Sequence, residues 1–378
     1  MTTRNTIISA ALIAALACGP AAHWPAPAGA DTPSRVLPKM VTRDAAGRVD
    51  KGLRYLERTQ RQDGSWLNSG GWGIYPVVMT SLAGLAFLAN GSTPESGPYQ
   101  RSVSRALNYV LNVAEAGRRQ DKKEILIAGG GEESRSMYGH GFGMLFLAEC
   151  YGMEGDKSSD RAQRIKAVLD GAVNLTARAQ SDLGPAQKHA GGWIYTPDGR
   201  SDEGSVTVTQ LQALRACRNV GVKVPRSTIE RAVLYLKFCQ QADGGICYSA
   251  NSRGSSLPAI SAAAVACFYS AGVYDEHTGG RGLEAKMVER LIEYCKKNVN
   301  VDGGAGHYFY TQLYYSQGMY QRGGEDWGEY YPRIRDRLTG MQAPDGNWNG
   351  DGIGPIYGTA IACLILQLPY GYLPVMQR

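Results

Sequence analysis

From residue 46 to residue 368 the chain alternates between two kinds of apolar pattern. One kind is amphipathic. In Ile229, Ala232, Val233, Leu236 and Cys239 the apolar positions recur at helical spacing along one stripe, while Glu230, Arg231 and Lys237 fall on the opposite face. The other kind is apolar or small on nearly every face, as in Val77-Val78-Met79-Thr80-Ser81-Leu82-Ala83-Gly84-Leu85, and predicts a helix buried on all sides. The amphipathic members are predicted over 46–60, 99–116, 160–179, 227–240, 283–297 and 329–342; the apolar ones over 76–89, 136–151, 205–218, 257–271, 308–320 and 356–368. Ser256-Leu257-Pro258 opens the fourth apolar helix with proline near the first turn, where no hydrogen bond is forfeited. Six hairpins of a half-wet and a dry helix predict an all-α ring of two concentric layers, an (α/α)6 toroid over residues 45–370, with a tail over 371–378. An open array of helix pairs is the alternative. Gly129-Gly130-Gly131 and the segment Asp182 to His189 are read as insertions in the repeat.

Between the two helices of a hairpin lies a recurring turn. Gln60, Gln240 and Gln342 end outer helices, and Asp63-Gly64-Ser65-Trp66, Asp243-Gly244-Gly245-Ile246, Asp302-Gly303-Gly304-Ala305 and Asp345-Gly346-Asn347-Trp348 supply turns. Gly191-Gly192-Trp193 is a copy with its upstream Gln displaced. The Gln is expected to satisfy free backbone groups at helix ends. The Gly permits the reversal, and the Trp buries a large plate against the next turn.

These residues carry a resemblance. Lys51, Gly52, Tyr55, Leu56, Gln60, Gly64 and Trp66 match the Gln–Trp repeat of squalene and oxidosqualene cyclases. Arg231-Ala232, Tyr235, Leu236, Gln240 and Gly244 match it again without the Trp, and Leu338, Gln342, Gly346 and Trp348 a third time. The chain thus resembles the prenyltransferase and squalene-cyclase repeat superfamily. The resemblance implies an α/α toroid with a central cavity reached from one end of the inner helices, a barrel also known in protein prenyltransferase β subunits and complement-type thioester domains.

The chemistry of those relatives does not follow. The cyclases' Asp-x-Asp-Asp acid is missing, as are the prenyltransferase zinc set and the thioester sequence Gly-Cys-Gly-Glu-Gln. At the positions where zinc ligands are expected stand Ser256-Leu257-Pro258-Ala259-Ile260 and Tyr308-Phe309-Tyr310-Thr311-Gln312. Cys247 and His307 follow Gly-rich turns and are weighed as a metal pair against ordinary turn residues, the preferred reading; no metal or cofactor is assigned. The nearest acidic pairs are Asp202-Glu203 before the third inner helix and Glu132-Glu133 before the second, either facing the cavity mouth or capping helix entries. Asp202, Glu203 and Glu133 are the catalytic candidates, with His140, flanked by Gly139 and Gly141, as a base oriented by Glu133 or Tyr138 or else a packed core histidine. A ring of Tyr75, Tyr138, Tyr195, Tyr248, Tyr308, Tyr310, Tyr314 and Tyr357 with Asn251, Arg253, Gln312 and Asp351 is expected to bind a partly polar ligand or peptide.

Composition adds compartment and partner. The first thirty residues read as an export signal: Arg4, an apolar run from Ile7 to Cys18, and Ala28-Gly29-Ala30 for cleavage, with residues 31–44 as a linker. Lipidation at Cys18 is the alternative. The expected location is the periplasm or the exterior. Seven of the eight cysteines lie beyond that segment, at the late points of predicted helices or in a turn, and read mainly as small buried hydrophobes rather than disulfides. A net charge of +6 is spread without a Lys/Arg block, which argues against a nucleic-acid partner. What remains is a binding or scaffold module for an isoprenoid or glycan small molecule or an extracytoplasmic protein. The alternatives are a cyclase-like enzyme with a non-standard acid and a carbohydrate-active α/α-barrel enzyme.

Overall fold

A computed structural model describes residues 36–377, apart from 72, 120–122, 182–190 and 304–305. The expected signal segment, residues 31–35 of the linker, the insertion from Asp182 to His189, and Gly304 and Ala305 of the fifth turn lie outside the described residues. The outer helices are α1 (Arg43–Thr59), α3 (Gln100–Ala116), α5 (Asp160–Ala179), α7 (Arg226–Cys239), α9 (Gly282–Asn298) and α11 (Gly324–Met341). The inner helices are α2 (Pro76–Ala89), α4 (Ser136–Met153), α6 (Gly204–Asn219), α8 (Pro258–Ala271), α10 (Tyr308–Arg322) and α12 (Pro355–Gln367). Every residue of α2 is buried, whereas α1 buries only Ala45, Val49, Gly52, Leu53 and Leu56. Neighbouring inner helices touch in chain order, α12 returns to α2, and α1 packs on α12. The ring is therefore closed, and the open array is excluded. A short hairpin, β1 (Arg118–Arg119) against β2 (Glu124–Ile125), leads from α3 towards α4. Among the described residues no helix is long and apolar enough to cross a membrane.

The turns explain the closure. Gln60 Nε2 donates to Gly64 O at 2.9 Å within its own turn and to Ser102 O at 3.0 Å in the next outer helix. Gln240 repeats this with Gly244 O and Met287 O, and Gln342 with Gly346 O and Arg48 O, the last joining α11 to α1. The displaced glutamine of the third copy is Gln180, bonded to Gly191 O and Thr228 O across the insertion. The amide, expected to satisfy free backbone groups at helix ends, thus clamps one repeat to the next. Gly64 has φ +93°, and a Cβ there would stand 2.4 Å from Arg105 O, so the turn and the next helix meet backbone to backbone. Each Trp is held at both ends. Trp66 Nε1 donates to Leu56 O at 2.8 Å, and its backbone N–H to Thr80 Oγ1 on the inner helix at 3.1 Å. Trp193 and Trp348 do the same with Thr207 and Thr359.

All six inner helices start at one end of the ring. At the other end the chain from Leu368 to Gln377 folds across their C-terminal halves in two 3-10 turns, with Leu373, Val375 and Met376 buried. The expected tail is therefore a packed segment. Val375 N–H donates to Glu149 Oε1 at 3.3 Å, and Gln317 and Gln321 donate to the carbonyls of Val375 and Gln377. Glu149 is buried, its other oxygen has no partner, and burial pushes its carboxyl up to about 8.

Trp348 lies between α11, α12 and Gly52 of α1, where the ring closes. Trp348→Ala is expected to lower unfolding stability by about 3–5 kcal/mol in urea titration; a loss below ~1 kcal/mol would show that closure does not rest on this plate. Because the folded-state pKa of Glu149 lies above its unfolded value of 4.5, its contribution is full below that value and is lost as pH rises through 8. Stability should fall by on the order of 3–5 kcal/mol over that window, and Glu149→Gln should flatten the profile. An unchanged slope in the variant would assign the dependence elsewhere.

Candidate functional site

The N-terminal ends of the inner helices enclose a cavity of about 380 Å³. Its rim and upper wall carry Tyr75, Tyr138, Tyr195, Tyr248, Tyr310 and Tyr357. One turn deeper stand Met79, Phe142, Ile260, Leu313 and Ile361, because an inner helix keeps the same face inward at positions three and four apart. The charged groups are Arg135, Glu203, His307 and Asp351.

Each polar group of this wall has a local cause. Glu203 is the N-cap of α6: its carboxylate accepts from Ser205 N at 3.0 Å, Val206 N at 2.8 Å, the Ser205 hydroxyl, and Tyr138 OH at 3.4 Å. Asp351, at φ +53°, reaches from the last turn to the start of α10, accepting from Phe309 N at 3.0 Å and Tyr310 N at 3.1 Å. Burial nevertheless raises its pKa above the ordinary aspartate value, opposed by those amides. Tyr357 is hydrogen-bonded to Asp351; burial above all, and then the neighbouring carboxylate, hold its hydroxyl proton far above the usual range. Tyr195 and Tyr248 share a hydrogen bond through their hydroxyls, and Tyr138 pairs with Ser205. Arg135 lies 5.0 Å from the Tyr195 ring centroid and bonds Tyr75. The hydroxyls of Tyr310 and Tyr314, whose rings meet edge to face at 4.8 Å, are buried without a hydrogen-bond partner.

The sequence candidates divide accordingly. Tyr75, Tyr138, Tyr195, Tyr248, Tyr357, Asp351 and Glu203 converge on the cavity. Asp202 points away from it and is buried, accepting from Tyr235 OH at 2.8 Å and from Ala250 N and Asn251 N; it staples the fourth turn to the third. Asn251 is exposed beside it, and Arg253 is exposed over the Phe238 ring. Glu133 is fully exposed and accepts from Gly131 N, whereas the buried member of that pair is Glu132. Glu132 receives Val77 N, Val78 N and Gly129 N and so caps α2; burial pushes its carboxyl up to about 7. His140 is wholly buried behind the wall, with Nδ1 accepting from Ile127 N and Nε2 paired with Thr176 Oγ1, and burial pushes its pKa down to about 4. Neither Glu133 nor Tyr138 orients it. Tyr308 donates to Val301 O, and Gln312 bridges Asn300 O and Tyr330 OH, both away from the cavity. Cys247 contacts Ser249 O rather than His307. Among the described residues no group of three or more His, Cys, Asp or Glu is placed to hold a metal. Tyr310, expected at an inner-helix entry, is on the wall, whereas sequence reasoning missed Arg135 and His307 as wall residues of the same site; only their place one residue before an inner-helix start signalled them.

No protein-family model and no curated protein matches the chain. Solved structures do match its fold. A variant of the type II terpene cyclase MstE from Scytonema, in complex with its substrate geranylgeranyl dihydroxybenzoate, superposes with TM-score 0.53 at 14% identity, over 88% of this chain and 98% of that one. The cellobiose 2-epimerase from Spirochaeta thermophila gives 0.61 at 12%, over 87% and 96%, and the GH76A α-1,6-mannanase from Salegentibacter 0.61 at 8%, over 87% and 99%. The class is thus the α/α toroid, shared by a terpene cyclase and by carbohydrate enzymes. This agrees with the α/α toroid fold expected from the repeats.

A buried hydroxyl without a partner destabilises the empty protein. Tyr310→Phe is expected to raise its unfolding stability by about 1 kcal/mol; a loss of similar size in thermal or urea unfolding would mean that the hydroxyl is already satisfied.

Proposed function

We propose that the toroid binds a small amphiphile of isoprenoid type in its central cavity, with the apolar body against the wall and an oxygen-bearing head near Tyr310 and Arg135. The observation that carries this is how the wall spends its hydrogen bonds. Glu203, Ser205 and Tyr138 satisfy one another, Asp351 is taken up by Phe309, Tyr310 and Tyr357, and Tyr195 by Tyr248. A sugar needs many free partners, and this wall leaves it few. Alkyl and aromatic faces with one unpartnered hydroxyl fit an apolar chain with a single acceptor. That the fold neighbour MstE takes geranylgeranyl dihydroxybenzoate, an apolar chain on a polar head, supports the same ligand class.

The amino-terminal apolar run from Ile7 to Cys18, followed by the Ala28-Gly29-Ala30 cleavage signal, supports an exported module that works in the periplasm or outside the cell. A second reading, an acid-catalysed isoprenoid enzyme, is favoured by one feature. Asp351 is a wall carboxyl whose pKa burial raises above the ordinary aspartate value, and it stands beside Tyr357 at a cavity of matching character.

Titration calorimetry with geranylgeraniol and with cellobiose separates the classes. Saturable binding of the alcohol alone is expected, weakened about 2–10-fold by Tyr310→Phe and abolished by Val78→Trp, which fills the cavity. Binding of cellobiose alone would overturn the proposal. Mass analysis of the recovered geranylgeraniol decides the second reading: a new isomer lost in Asp351→Asn establishes catalysis, and unchanged alcohol establishes a carrier.

A further inference from the structure

Behind the cavity wall, two cysteines meet across the fourth turn. Cys239 ends α7, and Cys247 directly precedes Tyr248 of the wall. Gln240 and Ile246 pair as an antiparallel bridge between them, and Cys247 N–H donates to Cys239 O at 3.1 Å. Residues opposed across such a pair lie ~4.5–5.5 Å apart at Cα, inside the range a disulfide needs. Their thiols are already hydrogen-bonded to each other, and both are free. We propose that Cys239 and Cys247 form a redox-exchangeable thiol pair, oxidised to an intramolecular disulfide by low-molecular-weight disulfides, in a site separate from the ligand cavity.

The environment assigns the two sulfurs different roles. The hydrogen bond from Cys239 above all, then Gln241 and the nearby Arg253 guanidinium, pull the Cys247 thiol below its ordinary range against the effect of burial. Cys239, on the donating side of that bond and beside Cys247, is pushed up. For Cys150, Cys217, Cys267, Cys295 and Cys363 burial is the leading influence and raises each thiol. The thiolate is the nucleophile, so the chemistry selects Cys247 as the attacking sulfur. Both cysteines are wholly buried, so a small disulfide must enter beside the adjoining exposed residues 251–255, near Arg253.

The step balances. The Cys247 sulfur attacks one sulfur of RS–SR and releases RS⁻, which takes up the Cys247 proton as RSH. The Cys239 sulfur then attacks Cys247 in the mixed disulfide, and the second RS⁻ leaves with the Cys239 proton. Two protein thiols become one disulfide, and the external disulfide becomes two thiols. The product closes the loop from 239 to 247 and fixes the turn behind Tyr248, whose carbonyl accepts from Gly204 at the start of α6.

The test equilibrates the full chain with mixtures of oxidised and reduced glutathione, alkylates free thiols, and maps peptides by mass spectrometry. The expected result is joint loss of alkylation at Cys239 and Cys247 with a cross-linked peptide two hydrogens lighter, while Cys150, Cys217, Cys267, Cys295 and Cys363 stay alkylated after denaturation. In Cys239→Ser, glutathione should accumulate on Cys247; in Cys247→Ser, no adduct should form on Cys239. Full alkylation of both cysteines in mixtures that oxidise dithiothreitol would overturn the proposal, as would a disulfide joining any other pair. The wild-type map stands even if a variant fails to fold.

Discussion

One side-chain amide holds successive repeats together. In Gln60, Gln180, Gln240 and Gln342 the Nε2 group donates twice, to a carbonyl in its own turn and to a carbonyl in the next outer helix. Neither carbonyl belongs to a side chain, so the clamp depends on backbone geometry that every repeat shares. Glycine lets the two backbones approach, and in three of the four copies a Trp in the same turn is anchored to both helices of its hairpin. The last clamp, from Gln342 to Arg48, is the one that turns a row of hairpins into a ring.

The site follows from that closure. A closed ring with each inner helix running the same way brings six helix N-termini to one end, where backbone N–H groups lack helical partners. Carboxylates answer three of them: Glu132 caps α2, Glu203 caps α6 and Asp351 caps α10. Acidic residues at such positions are first of all structural. What distinguishes Asp351 is its place on the cavity wall beside Tyr357, where burial raises its pKa above the ordinary aspartate value. Asp202 and His140 show the opposite outcome, since both are consumed by backbone and side-chain partners behind the wall.

Most of the fold was legible because hydrophobic period reports burial directly. An inner helix such as α2 is apolar all round because neighbours cover every face, and an outer one such as α1 has a single stripe because one face meets water. The site was legible only in part. Tyrosines at inner-helix entries were found, since any residue there points into the ring or its rim. The choice within Glu132-Glu133 and Asp202-Glu203 was not, because adjacent residues at a helix entry point in opposite directions, and no period governs a loop. The role given to Gln also changed, from satisfying free backbone groups at helix ends to joining two repeats.

The sequence by itself determined the number of hairpins, which helix of each pair is buried, and where the turns with Gly and Trp fall. These are properties of single segments, set by helical period and by the steric demands of one turn. Tertiary structure alone decided which carboxyl faces the cavity, which hydroxyls cancel one another, that Cys239 and Cys247 meet, and that residues 368–377 pack over the far end. Each of these depends on residues far apart in the chain arriving at one point. That meeting is set by ring closure, which no local pattern records.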